Sequence, residues 1–170
     1  YNLNEQEYPN LIRAGYPITY LPFFGFVSDP AIKARGIKGV KDLAQYKVVT
    51  QRGDRIVEKA INPLIPKDKL TVVASYEQAF KMLDAGRVDV VVSDRARASH
   101  ELTKLGLSHK ILMVIPPLMI PNTYPYFNRK HAALAEEIAK TMKAKMDDGT
   151  YLKLTGVPPP DPKTDHPPVD

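Results

Sequence analysis

Residues 70–94, LTVVASYEQAFKMLDAGRVDVVVSD, constrain the fold more than any other stretch of the chain. They read as strand, capped helix, glycine stop and strand. Ser75 with Gln78 three residues on has the form of a capping box, in which each side chain satisfies a backbone N–H that the helix start leaves unpaired. Ala79, Phe80 and Leu83 then recur on one face at helical spacing, so the sequence predicts a helix over 76–85, stopped by Gly86. Val88, Val90, Val91 and Val92 form a near-continuous apolar run, as a strand covered on both faces needs. Ser93 and Asp94 therefore stand at a strand's carboxyl end, the edge along which open α/β sheets bind ligands.

The same alternation extends both ways. KVVTQ (47–51) reads as a strand, and Asp54 is placed to cap a helix whose inner side carries Ile56, Val57, Ala60 and Ile61. Strands at 70–74, 88–93 and 110–115, separated by helices at 76–85 and 95–105, predict parallel strands with helical crossovers and hence a layered α/β domain. A short helix is expected at 40–44. ITYLPFFGFV (18–27) suits extended segments kinked at Pro22 and Gly25, and residues 116–128 are extended and rich in Pro and Tyr. A longer helix is expected over 131–147, with Leu134, Ile138, Met142 and Met146 as its apolar stripe and Gly149 at its end. Residues 1–13 are polar and expected to wrap a surface. VPPPDPKTDHPPVD (157–170) cannot build a core and reads as an extended strap or a disordered end.

Composition narrows the function. With 44% hydrophobic and 25% charged residues, 170 residues can bury a core as one domain or two small lobes. The net charge of +5 comes from Lys and Arg interleaved with Asp and Glu along every expected helix, the pattern of a solvated surface rather than a nucleic-acid face. No run of 18 apolar residues is present, so no membrane-spanning helix is expected. The sequence has no cysteine, and His100, His109, His131 and His166 lack metal-ligand spacing. Neither GxSxG, HExxH nor a phosphate-binding Walker loop occurs. No catalytic residue, metal or cofactor is assigned.

Two places suit a ligand. Gly53 lies between a strand and a helix, where unpaired N–H groups and the helix dipole favour an anion, and Arg52 and Arg55 would reinforce that preference. Gly53 can equally serve only the turn, with Asp54 as the cap. Asp94, after its valines, is either another helix cap or an acceptor for a ligand's ammonium or hydroxyl groups, with Ser93 beside it. Arg95 and Arg97 read as solvated helix residues. The RGD tripeptide at 52–54 falls inside a strand-to-helix turn and is not read as an adhesion motif. Tyr16, Tyr20, Phe23, Phe24, Tyr124, Tyr126 and Phe127 lie in the two extended stretches, where they serve the core or wall a cleft.

GIKGVKDLAQYKVVTQRGD, SYEQAFKMLDAGRVDVVVSD and FNRKHAALAEEIAKTMKAKMDDGTYLKL, in that order and at that spacing, resemble the type II periplasmic solute-binding proteins, in particular the family 3 group that serves ABC importers of amino acids and related solutes. The resemblance covers most of residues 15–155. It implies an α/β fold of two three-layer lobes joined by two crossing strands, near 20–28 and 114–122, with a small solute held in an interlobe cleft and delivered to a membrane permease in the periplasm. Residues 1–28 would be a lobe 1 remnant with the first crossing, 29–115 lobe 2, 116–156 the second crossing and return to lobe 1, and 157–170 the tail. Arg52, Gly53 and Asp54 match the loop that meets an anionic group, and Asp94 the acid that meets an amino group. Tyr20 and Phe23 would line the cleft. Two departures stand out. Asp54 replaces the usual Thr or Ser after the glycine, and the stretch that normally precedes residue 1, with its carboxylate-clamping arginine, has no counterpart. Lobe 1 is thus expected to be incomplete, with self-association through the α-helical stripe as one way to cover it. Alternatives on the same fold are an enzyme such as a cyclohexadienyl dehydratase and the ligand-sensing module of a receptor or regulator.

Overall fold

A computed structural model describes residues 7–164. Strands β1 (Leu11–Arg13), β2 (Thr19–Tyr20) and β3 (Phe23–Val27) come first, then α1 (Pro30–Arg35), β4 (Val48–Gln51) and α2 (Arg55–Ala60). They are followed by β5 (Leu70–Val73), α3 (Tyr76–Asp84), β6 (Val90–Asp94), α4 (Arg95–Leu105) and β7 (Leu112–Met113). The order closes with β8 (Asn122–Thr123), β9 (Tyr126–Asn128), α5 (Ala132–Asp147) and α6 (Thr150–Thr155). The chain divides into two compact units. One holds residues 22–120, the other residues 7–21 and 121–164 of the described chain.

The 22–120 unit is built on one five-stranded sheet in the order β5-β4-β6-β3-β7. β4 runs parallel to both β5 and β6, as the alternation predicts. Strand β3, expected only as an extended crossing segment, lies antiparallel between β6 and β7, so β7 keeps the common direction of β4, β5 and β6. One sheet face, with Phe26, Val49, Val73 and Val91, packs on Tyr76, Ala79, Phe80 and Leu83 of α3 and on Ala98 and Leu102 of α4. Phe26 and Phe80 meet edge to face at 5.8 Å, a favoured aromatic geometry. On the other face Val48, Val90 and Val92 are fully buried. Gly25 does not kink β3. A Cβ there would stand 3.3 Å from Val90 and 3.4 Å from Ile37, so close packing of this second face calls for the glycine.

Helix α3 starts as its sequence predicts: Ser75 Oγ accepts from the Gln78 N–H at 3.2 Å. The Gln78 side chain reaches back one residue further than a capping box requires and accepts from the Ala74 N–H at 3.4 Å. Helix α4 ends on Gly106 in the left-handed region (φ 69°), where the missing Cβ removes the strain. Helix α1 was not among the sequence expectations, although Asp29 caps it by accepting from the Ala31 N–H at 2.8 Å and Pro30 opens it.

In the other unit β1 pairs antiparallel with β9, and β2 with β8. Residues 11–13 are therefore a strand rather than part of a surface wrap, while residues 1–6 lie outside the described chain. Arg13 lies over the Tyr124 ring at 4.2 Å. Helix α5 matches the long helix expected, and Gly149, at φ 77°, separates it from α6. Of its predicted stripe Met146 is buried, Ile138 and Met142 are half-buried and Leu134 is exposed. The start of the proline-rich tail is strapped down. Pro160 is buried, and the Asn122 side-chain amide donates to the Asp161 carbonyl at 2.6 Å. His166 and the rest of the tail lie outside the described residues.

Candidate functional site

The carboxyl ends of β4 and β6 converge on a group of charged and hydroxyl side chains. After β4 the chain turns at Gly53, whose φ of 85° is strained for any residue with a Cβ, and Asp54 takes the N-cap position of α2. The expected side-chain cap is not made. Instead Asp54 Oδ2 accepts from the Tyr76 hydroxyl at 2.9 Å and from Arg97 Nη1 at 3.0 Å. A charged guanidinium is a stronger donor than a backbone amide, which accounts for the carboxylate turning away from its own helix. The Gly53 N–H, expected to face an anion, donates to the Glu58 carboxylate at 2.8 Å, so the chain supplies its own anion at that point.

Asp94 resolves as a helix cap and an ion-pair partner together. Its Oδ1 accepts from the Arg97 backbone N–H at 3.0 Å, and its Oδ2 lies 3.1 Å from Arg97 Nε. Arg97 thus joins two carboxylates contributed by different strand ends. The acids are buried, their side chains 6% and 5% exposed, whereas the arginine side chain is 53% exposed. Burial works against the guanidinium's charge, but Asp54 and then Asp94 outweigh it and raise its pKa above the ordinary value. The Tyr76 hydroxyl is pushed well above its ordinary pKa, first by burial and next by the Asp54 charge, which keeps it protonated as a donor. Fully buried Ser93 acts on that hydroxyl in the opposite direction, although its Oγ completes no well-formed hydrogen bond among the described residues.

Of the residues singled out in the sequence, Asp54, Ser93 and Asp94 come together here, with Gly53 in the adjoining turn. Arg52 and Arg55 are exposed on either side of that turn. Phe23 is fully buried, opposite Asp94 in the β3–β6 register, so no part of its side chain is open to a solute. Tyr20 is half-buried in β2 of the other unit, opposite Asn122. The sequence reading missed Tyr76, counted as a helix residue, and Arg97, counted as solvated. Arg97 had one local signal, its i,i+3 spacing from Asp94. A separate open groove of about 440 Å³ runs beside α3, lined among others by Ser75, Gln78, Met82 and Arg87, and shares no residue with this cluster.

No protein-family model matches the chain. An uncharacterized protein of Shewanella oneidensis is 25% identical over 142 residues, which are 84% of this chain and 53% of that one. Among solved structures, a mutant of ArgBP from T. maritima aligns with a TM-score of 0.59 at 20% identity, over 89% of this chain and 63% of its own. A histidine kinase sensor domain with similarity to periplasmic binding proteins aligns at 0.63 and 19%, over 93% and 68%. The probable amino-acid ABC transporter extracellular-binding protein ytmK from Bacillus subtilis aligns at 0.59 and 20%, over 90% and 65%. The chain therefore has a periplasmic-binding-protein-like α/β fold. It spans about half the length of the Shewanella protein and under two thirds of the ArgBP structure. Among the described residues no helix is long and apolar enough to cross a membrane.

Proposed function

We propose that this chain binds a small polar solute, an amino acid or a related molecule, in the periplasm, and presents it to the membrane permease of an ABC importer without performing chemistry on it. The observation that carries the reading is the meeting of Asp54, Asp94, Tyr76 and Arg97 at the carboxyl ends of parallel strands, where α/β sheets of this type bind ligands. The arginine-binding and amino-acid-binding proteins among its structural neighbours support the same reading. The residues of this reading are Arg52, Gly53, Asp54, Arg55, Ser93 and Asp94, and fully buried Phe23 is left out. Native mass spectrometry of the purified chain tests it. A small molecule retained in the gas phase and released on unfolding is expected; no retained molecule and no thermal shift with any member of a broad solute panel would end the proposal.

A second reading, the ligand-sensing module of a receptor, draws support from the likeness to a histidine kinase sensor domain. The two readings part at the partner of the loaded protein, a permease or a linked signalling segment, which crosslinking in the native membrane separates. Self-association belongs to the same proposal. Leu134 on α5 is 44% exposed and Leu154 on α6 79% exposed, and light scattering at micromolar concentration is expected to show association through them.

A further inference from the structure

We infer that Arg97, clamped between Asp54 and Asp94, is the ligand-contacting cation of this site, so that the solute it takes presents a carboxylate there and no ammonium or guanidinium. The inference rests on the solute-binding reading and names its ligand class. The two acids look suited to a cation, yet a cation is already in place. Arg97 Nη1 lies 3.0 Å from Asp54 Oδ2, and Nε lies 3.1 Å from Asp94 Oδ2. Asp54 also accepts from Tyr76, and Asp94 also caps α4, so each acid carries two contacts from its own chain. A solute's ammonium would have to displace the guanidinium and strip two nearly buried carboxylates of their partner. An anion meets no such cost.

Guanidinium is a rigid planar fork whose separate edges can serve separate acceptors. Here Nη1 donates to Asp54, Nε lies 3.1 Å from Asp94 Oδ2 without completing a hydrogen bond to it, and over half of the side chain is exposed. Fixing the fork beforehand removes the rotamer entropy that an unsupported arginine loses on capturing a carboxylate. The exposed residues on the adjoining turns, Arg52 after β4 and Arg95 at the start of α4, carry the same sign. Glu58 opposes them, but its Oε1 is engaged by the Gly53 N–H. Asp54 and Asp94 act through Arg97 as positioning residues.

The test is calorimetry on the 170-residue chain with two probe series, linear mono- and dicarboxylates from acetate to adipate, and the cations putrescine and agmatine. At least one carboxylate is expected to bind the unaltered chain, and neither cation. Arg97→Lys, which keeps the charge but loses the fork, is expected to weaken that carboxylate at least tenfold while leaving the melting temperature within a few degrees. Arg97→Gln is expected to abolish carboxylate binding and to admit putrescine to the vacated acids. Binding of a cation by the unaltered chain, or carboxylate affinity unchanged within twofold in Arg97→Lys, would overturn the inference and leave solute binding intact. If neither series binds but another solute does, the inference fails alone. If no solute of any kind binds, both fail.

Discussion

Two charge networks in the 22–120 unit use the same chemistry at opposite depths. On the surface, Glu77 of α3 takes Lys81 at 2.7 Å and Lys104 of α4 at 2.9 Å, one acid served by two cations in water. At the end of the sheet two acids share one cation, and both acids are almost fully buried. Losing a lysine on the surface leaves Glu77 solvated and still paired. Losing Arg97 leaves two carboxylates desolvated and facing the same gap. Exposed ion pairs contribute little, whereas breaking a buried one is costly. The surface network is therefore replaceable, and the buried one holds its members in a fixed arrangement.

The largest effect that can break this contrast is expected from Arg97→Met. Loss of stability of about 2–4 kcal/mol is expected, somewhat under the usual value for a broken buried pair because the guanidinium is half in water. Urea unfolding reads it directly, and a loss below about 1 kcal/mol would show the two networks to be alike. Next comes Asp94→Ala, which removes a helix cap and is expected to cost about 1–2 kcal/mol of stability. The same variant is expected to weaken solute binding by about 1.5–3 kcal/mol, since Arg97 loses one of its two anchors. Unchanged affinity in calorimetry would remove Asp94 from the site.

Tyr76→Phe sharpens the comparison through pH. Its hydroxyl deletion is expected to cost about 0.5–1.5 kcal/mol near neutrality. The folded-state pKa of Tyr76 is raised above the ordinary 10.0, so the folded chain holds the phenolic proton more tightly than the unfolded one. That contribution is complete below pH 10 and is lost as pH rises above it, so the unaltered chain should lose stability on the alkaline side more steeply than Tyr76→Phe. Equal slopes would place Tyr76 outside the buried network. The smallest effect is expected from Glu77→Gln, with no resolvable change in melting temperature at pH 7. Lys81 and Lys104 hold the Glu77 carboxyl down to about 2 from an ordinary 4.5. Its contribution, screened by water, is present above pH 4.5 and is lost as pH falls toward 2, so the acid limbs of the two stability curves should nearly coincide.

What could be read from the sequence was local. The Ser75 cap, the helical face of α3, the valine run of β6 and the glycine stops at Gly86 and Gly149 each depend on residues within a few positions, and each stands where the pattern put it. Asp29 and Pro30 carried the same kind of start signal for α1, and only the helix's six residues made it easy to pass over. The direction of β3 could not be read locally, because its partner strand β6 lies about seventy residues on. The candidate site divides the same way. Asp94 at the strand end followed from the apolar run before it. The turning of Asp54 toward Arg97, 43 residues away, depended on a neighbour that only the folded sheet supplies.

Strand β3 also sets an order of events during synthesis. It emerges before both of its sheet neighbours, β6 and β7, with Phe23 waiting for Asp94 and Phe26 for Met113. At ribosomal rates of about 5–20 residues per second that interval is on the order of 4–14 s, long beside the microseconds in which helices and hairpins form. During this time Phe23, Phe24 and Phe26 have no sheet to join. A nascent chain halted before residue 90 should therefore expose three phenylalanines and an unpaired edge to chaperones, and release of that association as β6 leaves the ribosome would mark the moment at which the sheet can close.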